Sequence, residues 1–229
     1  AWALAVAVAL IDATGLRIGA ERYLRDNRSF GLTTLRDAHL QANGPRSLLC
    51  FKGKSGQRCR LHLQSPPLIA ALRRSRALPG PRLLQYLDEQ GRAHPLSPEA
   101  INAYLRRSCG VAITAKDLRT WRASTRLIEA TADSAGNIRV ALAQVAAELG
   151  HSTRTCRQHY IDPQLIEALE ARRALPLPRK RRAGLRRAEQ IYLQLRADAG
   201  TVQAQRCVTA SRKNATCAPS LASPSSSRM

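Results

Sequence analysis

Three observations predict a mainly helical α+β fold with one small antiparallel β-hairpin. Most of the first 174 residues fall into segments whose apolar positions recur at helical spacing between capping residues. One stretch, "SLLCFKGKSGQRCRLHLQ", alternates Cys59, Leu61 and Leu63 with Arg58, Arg60 and His62 beyond a glycine-framed turn, the period-two pattern of a strand with one buried face. A chain of 229 residues with 44% hydrophobic content can enclose a core, which excludes a wholly disordered protein.

The elements follow in order. The opening "AWALAVAVALI" is too short to span a bilayer, and no basic segment precedes it, so it reads as a core helix over residues 2–13. Ala1 stands where a complete chain would begin with Met, which leads us to expect a further N-terminal portion. Gly15 breaks the helix, and a second helical run is expected from about Ile18 to Arg25, with Arg17 at its entrance. Gly31 marks a turn before a short extended or helical piece. The β-hairpin comes next, with Lys54 at its tip between Gly53 and Gly56 and the basic side chains of Arg58 and Arg60 on its outer face. "SPPLIAALRRSRALPG" is a helix opened by prolines and stopped by Pro79 and Gly80.

Ser97 caps the next helix with Pro98 at its first position, and Gly110 lies past its end. Thr114 and Asp117 form a capping-box pattern for a helix that carries Lys116 and Arg119 one turn apart. Asn137 starts a helix closed by Gly150, and Ser152 can cap the helix bearing Tyr160. From Leu175 the composition changes to a basic linker and a last helix, and the Ser/Ala/Thr-rich residues after Gly200 read as disordered. The expected organisation is a folded domain over 1–174, a basic linker and helix over 175–199, and a tail over 200–229.

Lys and Arg number 37 against 16 Asp and Glu, a net charge of +21. Such an excess destabilises a compact chain unless a polyanion shares its surface, and nucleic acid is the leading partner. A basic protein kept soluble by its charge, or one that meets anionic lipid, is the alternative. The six cysteines form no C-x-x-C pair, which fits a reduced cytoplasm. Cys156 and His159 have no second pair at ligand spacing, so no metal is expected.

Five separated residues carry a common chemistry: Arg17, Lys54, Arg119, His151 and Tyr160. An in-line displacement at phosphorus places negative charge on non-bridging oxygens, which planar guanidinium forks match two at a time. A phenol of pKa about 10 is helped toward phenolate by surrounding cations. Each residue alone has a bland explanation, since a lone tyrosine usually packs and a turn lysine usually faces water. "FKGKSG" also lacks the spacing of a nucleotide-binding P-loop.

Their surroundings, "RIGAERYLRDNRSFGLTTLRDAH", "FKGKSG", "AKDLRTW" and "LGHSTRTCRQHYIDP", together resemble the bacterial and viral type IB DNA topoisomerases over residues 1–174. The resemblance implies a helical catalytic domain like that of tyrosine recombinases and type IB topoisomerases, acting without ATP, metal or other cofactor. It implies that Tyr160 attacks a DNA phosphodiester to form a 3′-phosphotyrosyl link and release a 5′-hydroxyl end. Arg17 and Arg119 would clamp the phosphate, His151 would donate to a non-bridging oxygen, and Lys54 would protonate the leaving oxygen. Lys116 would assist at that phosphate, and Lys52, Arg58, Arg60 and Arg157 would bind DNA. A monomer working on the bacterial nucleoid in the cytoplasm, with a small β-rich domain upstream, is also implied. Two rivals stay open: a tyrosine recombinase, which should show His-x-x-Arg where this chain has Lys116-Asp117-Leu118-Arg119, and a catalytically silent nucleic-acid-binding module.

Overall fold

The computed structural model describes residues 1–43, 46–176, 178 and 181–198. The predicted tail over 200–229, and Arg179 and Lys180 of the basic run, lie outside the described residues. Helices dominate, as the sequence predicts. α1 (Trp2–Thr14) is apolar nearly all round because it is the central helix of the first core, packed against four other elements. It ends at Gly15, whose φ of 65° is the left-handed conformation that closes helices.

The second helix, α2 (Glu21–Asn27), starts later than expected. Gly19 has φ 78°, outside the helical region, and Ala20 offers no side-chain cap. Arg17 therefore sits not at a helix entrance but on the irregular link between α1 and α2. That link is fixed by the chain that returns beside it: the Leu32 N–H donates to the Arg17 carbonyl at 2.8 Å and the Thr33 N–H to the Ile18 carbonyl at 2.9 Å. The crossing is so close that a Cβ on Gly31 would lie 2.6 Å from the Gly19 Cα and 2.9 Å from the Arg17 oxygen.

The predicted hairpin is present but forms part of a three-stranded antiparallel sheet, β1 (Leu40–Asn43), β2 (Arg46–Lys52) and β3 (Arg58–Leu63), in sequence order. Lys52 stands opposite Arg58, and Phe51 opposite Cys59. A single 3-10 turn, Lys54–Gly56, makes the tip. α3 (Pro66–Arg76) stops one turn before Pro79. A second, two-stranded sheet of β4 (Gln85–Leu87) and β5 (Ala93–Pro95), which the sequence reading does not anticipate, precedes α4 (Pro98–Cys109).

The capping signals read correctly. The Ser97 hydroxyl accepts from the Ala100 N–H, and Thr114 and Asp117 close the capping box of α5 (Ala115–Asp133). Asn137 caps α6 (Ile138–Leu149), and Ser152 caps α7 (Thr153–His159). α7 ends at His159, so Tyr160 is the residue that terminates it rather than a member of it. Asp162 and Pro163 then start α8 (Pro163–Glu170), and α9 (Arg187–Asp198) comes last.

Two apolar clusters divide the interior. One joins α1, the three-stranded sheet, α3, α4 and the start of α5, through side chains such as Leu10, Leu49, Leu72, Leu105 and Leu118. The other joins the rest of α5 to α6, α7, α8 and α9, through Trp121, Leu127, Val145, Leu165 and Tyr192. α5 runs through both. None of the helices described is long and apolar enough to cross a membrane.

Candidate active site

A cleft of about 790 Å³ opens where the two clusters meet. Arg17 reaches it from the α1–α2 link, Lys52 and Lys54 from the β2 end and hairpin tip, and Lys116 and Arg119 from α5, with Tyr160 behind α7. Four segments far apart in sequence thus deliver five cations and one phenol to one cleft. A larger hollow of about 1250 Å³ lies between α5, α6, α8 and α9, but it holds none of the candidate residues. Chemistry, not size, picks out the cleft.

The two guanidiniums share an imidazole. The Arg17 Nη2 donates to the Gly150 carbonyl at 3.1 Å and lies 3.1 Å from Nε2 and 3.2 Å from Nδ1 of His151. The Arg119 Nη2 approaches the same Nε2 at 2.9 Å, and its Nη1 donates to the Gly15 carbonyl. Both carbonyls belong to glycines that end helices, where the last carbonyls lack intrahelical partners. His151 lies face-near to Tyr160, ring centroids 4.3 Å apart, and the Arg119 guanidinium lies 4.9 Å from the Tyr160 ring centroid.

Burial sets the charge states. Arg119 is only 5% exposed, and its Nε has no hydrogen-bond partner. Desolvation and the neighbouring Arg17 charge bring its pKa down to about 10, which still leaves it a cation at neutral pH. Desolvation, reinforced by Arg17, Arg119 and Lys54, pushes His151 down to about 4. A neutral imidazole follows, with an unprotonated nitrogen for the guanidiniums to meet. Two cysteines flank the cleft, but burial raises the Cys59 thiol and takes Cys156 up to about 11, so neither offers a thiolate that would compete with a phenol. A buried cationic fork with an unused N–H, a second fork beside it and a phenol at their edge can together receive a tetrahedral anion.

Not every predicted residue comes to the cleft. Arg58 and Arg60 are exposed on β3 outside its lining, so they extend the basic surface beside it. Arg157 points elsewhere and is engaged by Glu170 in a two-pronged ion pair, at 2.5 and 3.0 Å. Among the described residues no group of three His, Cys, Asp or Glu side chains could hold a metal ion, and Cys156 is wholly buried. Sequence reasoning missed Tyr23, Asn27, Ser29 and Phe30, which also line the cleft. A signal existed: "ERYLRDN" has no apolar stripe, and α2 accordingly buries no residue in either core.

Fold and cleft together define a helical domain that gathers five cations beside a tyrosine. The chain belongs to the family of the eukaryotic DNA topoisomerase I catalytic core, whose model matches residues 2–174. The DNA topoisomerase 1B of Acanthamoeba polyphaga mimivirus is 29% identical over 168 residues, 66% of this chain and 50% of that protein. The chain therefore spans about half the length of this curated relative. Among solved structures, the XerH site-specific recombinase in its post-cleavage complex with palindromic difH shares the fold at a TM-score of 0.50 and 19% identity, covering 72% of this chain and 44% of that one. The expected viral and bacterial type IB resemblance and the recombinase-like helical fold are both borne out.

Proposed function

We propose that this chain relaxes supercoiled double-stranded DNA as a type IB topoisomerase, cutting one strand through Tyr160 and resealing it. The observation that carries the proposal is the convergence of Arg17, Arg119 and Lys54 with Tyr160 on one cleft, with His151 wedged between the two guanidiniums and the phenol. The phosphate oxygens take the guanidinium donors that now rest on backbone carbonyls and on His151. This frees the neutral imidazole to present an N–H to a non-bridging oxygen. The phenol loses its proton to water, its oxygen bonds to phosphorus, and the bond from phosphorus to the 5′ oxygen breaks. Lys54, exposed at the tip of a short turn, gives that oxygen its proton. The phosphotyrosyl bond keeps the energy of the diester, so rejoining needs no nucleotide hydrolysis.

All five side chains belong to one chain, which supports action as a monomer. Free cysteines at 50, 59, 109 and 156 fit the reduced cytoplasm and its nucleoid. Lys116, on the first turn of α5, takes the place where a recombinase would show histidine, which favours relaxation over strand exchange. The test is incubation with supercoiled plasmid in the absence of ATP and divalent metal. Wild type should give a ladder of relaxed topoisomers and a denaturant-resistant DNA adduct. Tyr160→Phe should bind DNA as before and give neither. Relaxation by Tyr160→Phe, or exchange between sites in place of a ladder, overturns the reading.

A further inference from the structure

The segment after Tyr160 is held by residues beyond the matched family core. Asp162 is 5% exposed. One carboxylate oxygen accepts from the Gln164 N–H at 2.9 Å and so caps α8. The other accepts from the Tyr192 hydroxyl at 2.6 Å and from the Arg196 Nη1 at 2.8 Å, both on α9. The Asp162 N–H donates to the Ser124 hydroxyl of α5 at 3.1 Å. α9 grips α5 as well: the Tyr192 and Trp121 rings lie 5.2 Å apart, and the Trp121 indole N–H donates to Glu189 at 3.3 Å.

Capping a two-turn helix needs one oxygen, and an exposed aspartate or serine serves equally well. A buried carboxylate whose second oxygen is matched by a hydroxyl and a guanidinium is a costlier arrangement than a cap requires. It does something a cap does not. α9 holds Asp162, two residues after Tyr160, and Trp121, two residues after Arg119, at the same time. The distance between the phenol and the buried guanidinium is therefore bridged by one helix.

We propose that Asp162 is a positioning residue for Tyr160, locked by Tyr192 and Arg196, and that α9 sets the spacing between the phenol and Arg119. This rests on Tyr160 being the nucleophile. A displacement of about 1 Å at a reacting group costs on the order of 10²-fold in rate, so a tether two residues from the phenol acts directly on chemistry.

The test uses the full chain and Tyr192→Phe, which keeps the ring on Trp121 and removes only the hydroxyl. Amide hydrogen exchange at Ile161 and Asp162 should quicken by about tenfold or more, the range expected for losing a hydrogen bond to a charged group. Single-turnover cleavage at saturating duplex should fall by at least about tenfold, while the Kd for DNA stays within about twofold. Asp162→Asn, which retains the cap, should be slow too, and adding Tyr192→Phe to it should slow cleavage no further, because the hydroxyl acts through the carboxylate. Unchanged exchange and cleavage overturn the proposal, as do binding and cleavage that fall in parallel, the mark of a brace for the fold alone. If exchange responds but the wild-type chain forms no adduct, the nucleophile assignment fails and the positioning role falls with it. If wild type forms the adduct and Tyr192→Phe cuts at the same rate, the positioning role alone is wrong.

Discussion

Gly31→Ala should nearly silence cleavage although residue 31 touches no substrate. Its φ of −144° is open to any residue, so the backbone of alanine is not strained there. The obstacle is the crossing strand. The added methyl would lie 2.6 Å from the Gly19 Cα, 2.7 Å from the Gly19 nitrogen and 2.9 Å from the Arg17 oxygen, all backbone atoms with no rotamer to yield. Ordinary contact needs about 3.5–4.0 Å, so the two segments must part by roughly 1 Å. Opening the crossing stretches the Leu32-to-Arg17 and Thr33-to-Ile18 hydrogen bonds, now 2.8 and 2.9 Å, beyond useful length. Overpacking of this kind costs about 1–3 kcal/mol, and each lost hydrogen bond adds about 1 kcal/mol. The Arg17 guanidinium moves with its backbone, and a 1 Å error in a phosphate clamp lowers the rate by about 10²-fold. Urea unfolding and single-turnover cleavage of a nicked duplex measure the two effects. Gly110→Ala is the control: its φ is 67° and nothing lies within 4 Å, so it should lose about 1–2 kcal/mol of stability without slowing cleavage. Should Gly31→Ala cut at the wild-type rate, the close crossing does not position Arg17 and the reasoning fails.

Three further outcomes can be checked. Lys54→Ala should slow cleavage of ordinary DNA by about 10²- to 10⁴-fold but leave a substrate with sulfur at the bridging 5′ position almost unaffected, since a thiolate leaves without a proton; equal slowing on both would remove Lys54 as proton donor. His151, neutral in the folded chain down to about pH 4, gives cleavage no inflection near its ordinary value of 6.5. Because the unfolded chain takes up that proton first, stability should fall as pH drops from 6.5 through about 4, and His151→Asn should flatten this part of a urea-midpoint profile. If about five phosphates are neutralised, log K for duplex against log salt should slope near −4 to −5, and a flat plot would sink the DNA assignment.

Local chemistry was readable and long-range chemistry was not. Ser97, Thr114 with Asp117, Asn137 and Ser152 announced their helices because a cap is a contact within four residues, and all four stand where expected. The alternation at Cys59, Leu61 and Leu63 likewise announced the hairpin, while β1, β4 and β5 are only three or four residues long and carry too few alternations to be seen. The five candidate residues could be named from motifs, but their convergence depends on glycine carbonyls at 15 and 150 and on the crossing of Gly19 with Gly31, none of which has a local signature. The ion pair of Arg157 was illegible for the same reason, since its partner Glu170 sits on the next helix. Asp162 likewise carries no local sign of its second oxygen's partners, since Tyr192 and Arg196 lie on α9.

The division of the interior has a bearing on safety. Arg17 and Lys54 are carried by the α1-and-sheet cluster, His151 and Tyr160 by the α6-to-α9 cluster, and Arg119 sits on α5 between Leu118 of the first and Trp121 of the second. A nascent or partly melted molecule with one cluster intact keeps many of its cations and can hold DNA, but it owns either the phenol or the proton donor, never both in register. If Tyr160 cuts DNA as proposed, the power to break a strand requires both clusters formed and joined, and is lost when the seam loosens. On the proposed function, the assembly of the two halves would itself be the interlock.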